Sequence, residues 1–567
     1  MRRGPAVLLL LALLFGSAYG AWRIGNEGWN RVSSFAPAHY QAPRPTVGPP
    51  PLTNRLVLIM VDGLRVDDAM RLPSLDWLAR RGAFYRLQVD GPAYQLPAEA
   101  TILSGASPLQ HGILLPQLAK PLGVDSLPAA ARRLHVSTGG TGNADFATLA
   151  KSSLDIFYPA AGTVSLFEQA KPLLANTGPR LVIIQAEQLH LGSHQVGTAN
   201  PSAPDYIELL GNLDASLEQV LDQLDLGTST VVVTGTMPTA TTGLHPAMGE
   251  VPLIVGGGGV KPGSSGVGRL EDIAPTAAAL MGLPSPLQTD GRPLIDALTA
   301  TGRPADVIAG RWLTTRKAFA DAELAAYGAI APAPDAPATL ADADSYLQDL
   351  SGQIDQARFA YAKQELIAHL PYLGGAILAV LLILFLLFRQ AIGSAAFFGA
   401  FTYGLVFHAV FYLTGGHYAV TMTGLEALGR PFVIGLLVKV TVAMAVASVV
   451  SGGMLSRKSF KTNAYLTVAA LQMALATALL VALPVMVMLL FVPWDFPVQL
   501  PAPGLLIWFF LSAFQVAAIG VLGLFWVFIT AQSVQLSRRI WPPKEPATSS
   551  NSSGKLLSMR HATRRRP

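Results

Sequence analysis

Cysteine is absent from the 567 residues, and charged side chains make up only 13% of them. The first absence excludes disulfides, thiolate metal ligands and a cysteine nucleophile, and it leaves the redox compartment open. The second excludes an ordinary soluble enzyme, because a surface in water needs polar cover and globular chains carry about 25% charged residues. A hydrophobic content of 51% and a mean hydropathy of +0.42 set much of that surface against lipid, and they exclude disorder and collagen. At roughly 150 residues per domain, the length allows three or four units. The net charge of +5 is modest, so the placement of the basic residues says more than their sum.

Arg2 and Arg3 precede an apolar run at 6–22, as in an export signal. The run approaches the roughly 17 to 20 residues that span a bilayer, so 1–22 reads as a retained signal-anchor helix. Cleavage near Ala18 or Gly20 is the alternative. A Pro-rich tether within 23–54 leads to a segment of ordinary polarity, 55–302. The connecting unit, 303–370, holds a Pro/Ala linker at 331–337 and an expected helix at 341–369, where Leu347, Leu350, Ile354 and Phe359 recur near helical spacing. Five apolar stretches follow, at 371–388, 392–414, 431–455, 464–492 and 504–532, each long enough to cross a membrane. They make a five-helix bundle over 371–532, followed by a basic tail, 533–567.

The loop residues Arg457, Lys458 and Lys461 and the tail residues Arg538, Arg539, Lys544, Lys555, Arg560, Arg564, Arg565 and Arg566 obey the positive-inside rule in one topology. Six spans with an inside N-terminus place 23–370 outside and the tail in the cytoplasm. The expected location is therefore the cell membrane, multi-pass, with lipid as a partner. The basic tail reads as an orientation signal, and no nucleic-acid partner is expected. His408 and Lys439 are the ionisable residues within spans. Pore or transport chemistry at Lys439 is weighed against bundle packing and snorkelling, which the absence of a carboxylate partner in the other spans favours.

In the exported segment, 55–61 (RLVLIMV) is a short continuous apolar run ending at Asp62-Gly63, the pattern of a buried parallel strand. Further strands are expected at 181–184, 230–234 and 251–255. A helix after Asp205 carries Leu210, Leu213, Leu217, Leu221 and Leu224 on one stripe. The alternation predicts a doubly wound α/β sheet domain, whose ligands bind outside the carboxyl ends of the strands. Asp62 and the residues after Ile184 and Thr234 would then meet in one crevice.

Asp-Gly at a strand end is by itself only a turn signal. The segments VDGLR at 61–65, PSLDWLARRG at 73–82, LPAEATILSGASPLQHGI at 96–113, VPLIVGGGGVKPG at 251–263 and DIAPTAAALMGLPSP at 272–286, in this order, resemble the alkaline phosphatase superfamily, nearest its type I phosphodiesterase and nucleotide pyrophosphatase branch. The resemblance covers about 55–300. An exported domain of this kind before a multispan bundle also resembles the GPI ethanolamine phosphate transferases. The resemblance implies cleavage of phosphate or sulfate esters with two bound metal ions and a nucleophile ionised by coordination.

Carried over position by position, Asp62 matches the first metal ligand, while the nucleophile position holds Gln95, an amide that cannot be deprotonated near neutral pH. The ligand pair of the pattern Asp-x-x-x-His corresponds to His190 and His194, with His190 in place of the aspartate. The Ser-Asp-His-Gly motif corresponds to Thr234, Gly235, Thr236 and Met237, without either ligand, and the last metal histidine corresponds to His245. One metal site is thereby reduced to Asp62. His190, His194 and His245 would give three imidazoles, a set that suits one zinc ion with an open fourth position, against the reading that they are leftover polar residues of a decayed crevice. Asp62, Gln95 and Thr236 are the expected ligand-binding residues.

Three functions follow. The first is a pseudoenzyme that binds a phosphorylated small molecule, glycan, lipid head group or membrane protein partner. The second is a hydrolase or phosphotransferase using zinc-bound water on the three histidines. The third is a transport or assembly component built on the bundle.

Overall fold

The computed structural model describes residues 3–37, 43–89, 94–115, 118–160, 164–187, 189, 203–238, 249–337, 340–390, 393–414, 430–456, 463–491 and 497–540. The segment 55–302 folds around one eight-stranded sheet in the order β4-β3-β5-β1-β6-β7-β2-β8. The strands are β1 (Arg55–Gly63), β2 (Ala83–Gln88), β3 (Thr138–Gly142), β4 (Ile156–Pro159), β5 (Leu181–Ala186), β6 (Ser229–Pro238), β7 (Glu250–Gly257) and β8 (Ser264–Arg269).

Strand β1 lies at the middle, parallel to both β5 and β6. Its side chains alternate between two layers. Leu56, Leu58 and Met60 pack with Ile102, Ile273 and Ala277 on one face, while Val57, Ile59 and Val61 pack with Leu210, Leu213 and Leu217 of Pro204–Asp222 on the other. Burial on both faces is why the run is apolar without interruption, and each such side chain contributes about 1.5–3 kcal/mol.

The sheet is mixed, because β7 runs antiparallel to β6 and to β2. A buried apolar run announces a strand but not its direction. Strand β3, sequence TGGTG, has no apolar pattern to find. Its glycines answer to packing: a Cβ on Gly139 would come within 2.6 Å of Pro179, and one on Gly140 within 2.7 Å of Leu154. The end of the expected tether is fixed to the domain, since Leu52 N and Thr53 N donate to Leu280 O at 2.8 and 3.1 Å.

Helix α1 spans Arg3–Ser33, α2 Gln95–Ser104 in the sheet domain and α3 Ala343–His369, ahead of the apolar helices α4 (Gly375–Phe388), α5 (Gly393–Leu413), α6 (Arg430–Ser456), α7 (Asn463–Phe491) and α8 (Pro503–Ile540). Among the described residues, six helices are long and apolar enough to cross a membrane by length and composition. Two differ from expectation. Helix α1 continues past the apolar run to Ser33, supported by an i,i+4 pair of Glu27 and Arg31 at 3.2 Å. Helix α3 passes through a π turn, Leu370–Gly374, directly into α4, so the connecting helix and the first C-terminal span form one stretch of 46 residues.

Tyr346, Leu350 and Ile354 of α3 bury against Trp312, Leu313, Ala320 and Leu324 of Arg303–Ala326. Phe359 is 73% exposed; the contact face continues through Arg358 and Tyr361, which meet Glu323 and Tyr327. In the bundle, His408 packs on Phe407 and Trp508 with ring centroids 5.4 and 5.7 Å apart. Lys439 is half-buried on α6. The basic loop residues Arg457, Lys458 and Lys461, and the tail from 541, lie outside the described residues.

Candidate functional site

Four parallel strands, β3, β5, β1 and β6, end side by side, and their carboxyl ends carry the polar side chains of the crevice. Asp62 closes β1 and is fully buried. From β6, Thr236 Oγ1 donates to Asp62 Oδ1 at 2.5 Å, and from β5, Gln185 Nε2 donates to Asp62 Oδ2 at 3.0 Å. The carbonyl oxygen of Gln185 accepts from Asn143 N at 2.9 Å, which fixes the direction of its amide.

Helix α2 starts at the crevice with Gln95 in its first turn, after the buried Tyr94. Gln95 Nε2 donates to Glu99 Oε1 at 3.1 Å, one turn further along, and to Glu187 Oε1 at 3.0 Å, just beyond β5. Asn143 Nδ2 donates to the same Glu187 oxygen. Glu99 is fully buried, and its Oε2 has no hydrogen-bond partner among the described residues. Gln95, Asn143 and Glu187 are half-buried and form the accessible rim.

The electrostatics follow from burial without a counter-charge among the described residues. Desolvation pushes the Asp62 carboxyl up to about 8, against hydrogen bonds from Thr236, Gln185 and Gln95, with the Glu187 charge adding to the rise. Glu99 is pushed well above the ordinary carboxylate range by burial first and the Asp62 charge second. Among the described residues, none of the groups acting on either is basic. Under α2, His111 is held down to about 3 by burial, and its Nδ1 accepts from Ile113 N while its Nε2 meets Thr101 Oγ1 at 3.1 Å.

Asp62, Gln95 and Thr236 are therefore in one cluster, with Gln95 linked to the others through Glu187, Asn143 and Gln185. His190, His194 and His245 lie outside the described residues. Among the described residues no group of three or more His, Asp or Glu is arranged to hold a metal ion. Gly235 has little room for a side chain: a Cβ there would stand 2.5 Å from Leu64 O and 3.1 Å from Val251 Cβ.

Four site residues were not singled out from the sequence: Asn143, Gln185, Glu187 and Glu99. Two of them had a signal. Gln185 interrupts an otherwise apolar strand, LVIIQA, and a polar residue buried in a strand needs a partner. Glu99 stands four residues after Gln95 on a helix, so both project to the same side.

No family model and no curated protein matches the chain. Among solved structures, the chain is similar to a 2-O GAG sulfatase, with 13% identity, a TM-score of 0.37, and coverage of 44% of this chain and 76% of that one. It is similar to human ectonucleotide pyrophosphatase/phosphodiesterase 5 at 10% identity and TM-score 0.36, covering 43% and 100%. It is also similar to a Vibrio parahaemolyticus protein at 14% identity and TM-score 0.37, covering 49% and 79%. These neighbours are alkaline phosphatase superfamily proteins. At such identities and TM-scores the likeness carries no argument about the site, whose chemistry rests on this chain's own residues.

Proposed function

We propose that this chain is a membrane-anchored, non-hydrolytic relative of the alkaline phosphatase superfamily whose sheet domain binds a ligand at the crevice. The observation that carries the reading is the placement of Gln95, an amide held between Glu99 and Glu187 at the position where a nucleophile is expected. An amide held there by two carboxylates neither attacks phosphorus nor forms a covalent intermediate. The residues also do not fit a two-ion centre. Gly235 lacks room for a ligand, and the Thr236 hydroxyl is engaged by Asp62.

Hydrolysis of aryl phosphate mono- and diesters by the full-length protein should stay at background. Gln95→Thr alone should not restore it, nor should the triple variant with Gly235→Asp and Thr236→His, because a side chain at 235 has to displace backbone. Turnover by the unmodified protein that disappears in Asp62→Ala would overturn the reading. The zinc site on His190, His194 and His245 is a separate proposal, read in the same preparations: about one zinc per chain, falling to none in His194→Ala. Zinc together with zinc-dependent turnover would establish an altered-site hydrolase instead.

The crevice is proposed to face the extracytoplasmic side. Support comes from the six apolar helices and from the basic residues at 457–461 and in the tail. A reporter active only outside the cytoplasm should work when fused after Gly302, and should be silent when inserted between Arg457 and Lys461 or fused after Pro567. Activity at either cytoplasmic position would break the topology.

A further inference from the structure

Helix α2 carries Gln95 and Glu99, and it is held at both ends by elements that continue into the apolar bundle. At its start, the carbonyl of Tyr94 accepts a helical bond from Ala98 N at 3.1 Å. The Tyr94 side chain is buried with Val32 and Phe35 from the end of α1 and with Leu506 from the first turn of α8. Leu500, just ahead of α8, joins the same cluster and donates from its backbone N to Leu109 O at 3.1 Å. Phe35 reaches in because position 112 is a glycine; a Cβ there would overlap its ring. Lys120 Nζ, bonded to Ser33 O and Phe35 O, fixes the end of α1.

At its other end, α2 stops at Gly105, whose carbonyl accepts from Asp290 N at 2.7 Å. Asp290 Oδ2 accepts from Ser107 N at 3.3 Å, and Asp290 Oδ1 meets Arg316 NH2 at 3.7 Å. One turn before Arg316 on helix Arg303–Ala326, Trp312 Nε1 donates to Gly291 O at 3.0 Å. Trp312 also packs in the apolar cluster with Leu350 and Ile354 of α3, which runs through the π turn into α4. The route from α4 to the end of α2 is therefore continuous.

Residues 96–104 are all buried, and a close-packed helix of this length moves as one body. Its link to β5 across the crevice is the bond from Gln95 Nε2 to Glu187 Oε1 at 3.0 Å. Helix shifts in switching proteins measure about 1–2 Å, and packed interfaces change between discrete arrangements. A shift of about 1 Å stretches a bond of this length beyond hydrogen-bonding range.

We infer that α2 couples the bundle to the crevice. A change in how α1 lies on α8, or in how α3 carries Arg303–Ala326, repositions Gln95 against Glu187, and a change at the crevice is felt at the end of α1. The inference concerns regulation and goes beyond the non-hydrolytic reading: it stands whether the crevice binds its ligand or turns it over.

Coupling is reciprocal by linkage, so the test reads both directions, by amide hydrogen exchange on the full-length protein in lipid nanodiscs. Helix Pro204–Asp222, on the opposite face of the sheet, is the reference for global opening. Gln95→Ala and the shape-preserving Glu187→Gln should each raise exchange about threefold or more in peptides covering 24–35. Phe35→Ala and Lys120→Met should do the same in peptides covering 94–104. Trp312→Phe, which keeps a ring and loses the bond to Gly291, should raise exchange in 94–104 from the other end. Exchange in 204–222 should stay unchanged throughout. In Gln95→Ala combined with Phe35→Ala, peptides covering 24–35 should exchange no faster than in Phe35→Ala alone, because the link that carries the crevice change is already cut.

Crevice variants that leave 24–35 unchanged, or α1 and Lys120 variants that leave 94–104 unchanged, overturn the inference. So do increases at 24–35 that multiply in the double variant, and increases shared by 204–222, which mark general loosening. An unchanged 94–104 in Trp312→Phe strikes out the route from α3. Ester turnover by the unmodified protein bears on the non-hydrolytic reading and leaves the coupling standing.

Discussion

Replacing Asp125 with alanine should cost about 3–5 kcal/mol of stability, the range for leaving one member of a buried ion pair without its partner. The Asp125 side chain is fully buried and Arg133 is 19% exposed. The pair is bidentate, with Arg133 NH1 to Asp125 Oδ1 at 2.5 Å and NH2 to Oδ2 at 2.8 Å. Asp125 Oδ2 also accepts from Leu287 N at 3.1 Å. It thereby ties Leu127–Arg133 to the segment after Ile273–Met281. In Asp125→Ala the guanidinium stays largely out of water without a counter-charge, and Leu287 N loses its acceptor. The double variant Asp125→Leu with Arg133→Met should recover much of the loss, because removing both charges also removes their desolvation cost. Urea unfolding followed by tryptophan fluorescence reads both values. A cost under about 1 kcal/mol for the single variant would place the pair among the weak surface bridges.

Near-complete formation of an engineered disulfide is expected between Gly25→Cys on α1 and Ala513→Cys on α8. The chain has no native cysteine, so any crosslink belongs to that pair. A Cβ on Gly25 would lie 3.4 Å from Ala513 Cβ, close to the roughly 3.5–4.5 Å of a disulfide. Helix α1 approaches α8 closely because glycines face it. A Cβ on Gly28 would come within 2.6 Å of Phe509, and one on Gly520 would overlap Ala18 and stand 3.0 Å from Leu14 O. Leu14 is fully buried there. Small residues at a crossing let helix backbones approach, which supplies much of the packing energy in lipid. Adding Gly520→Val should therefore push α1 away and abolish the crosslink, read as a mobility shift under oxidising conditions. The same variant tests whether the N-terminal segment is retained. If the chain were cut near Ala18 or Gly20, valine at 520 would meet nothing from α1 and the crosslink would survive.

At its C-terminal end, α1 reaches the candidate site. Val32 and Phe35 pack with Tyr94, Leu114 and Leu115 of the sheet domain and with Leu500 and Leu506 ahead of and inside α8. Lys120 Nζ donates to Phe35 O at 2.7 Å and to Ser33 O at 3.3 Å, satisfying carbonyls at the end of the helix. Tyr94 immediately precedes Gln95, so the start of α2 is held by residues from both the bundle and the N-terminal helix. None of this contact was visible in the sequence, where 6–22 has the features of an export signal and the residues after it have no apolar period.

The sequence by itself determined the parts whose physics is local. Apolar stretches of span length mark helices able to cross a membrane, because lipid offers no hydrogen bonds to the backbone, and the runs at 55–61, 230–234 and 251–255 mark buried strands because both of their faces are covered. It also determined that position 95 is an amide and position 235 a glycine, and the order of motifs placed both beside Asp62. The tertiary structure alone decided the rest. The antiparallel course of β7 and the strand formed by TGGTG depend on neighbours far along the chain. Glu99, Asn143, Gln185 and Glu187 joined the site only when α2 and the ends of β3 and β5 came together. Their role is a pairing of buried charges and hydrogen bonds across 92 residues in the case of Gln95 and Glu187, and a linear pattern carries no record of which distant group will satisfy a buried polar atom.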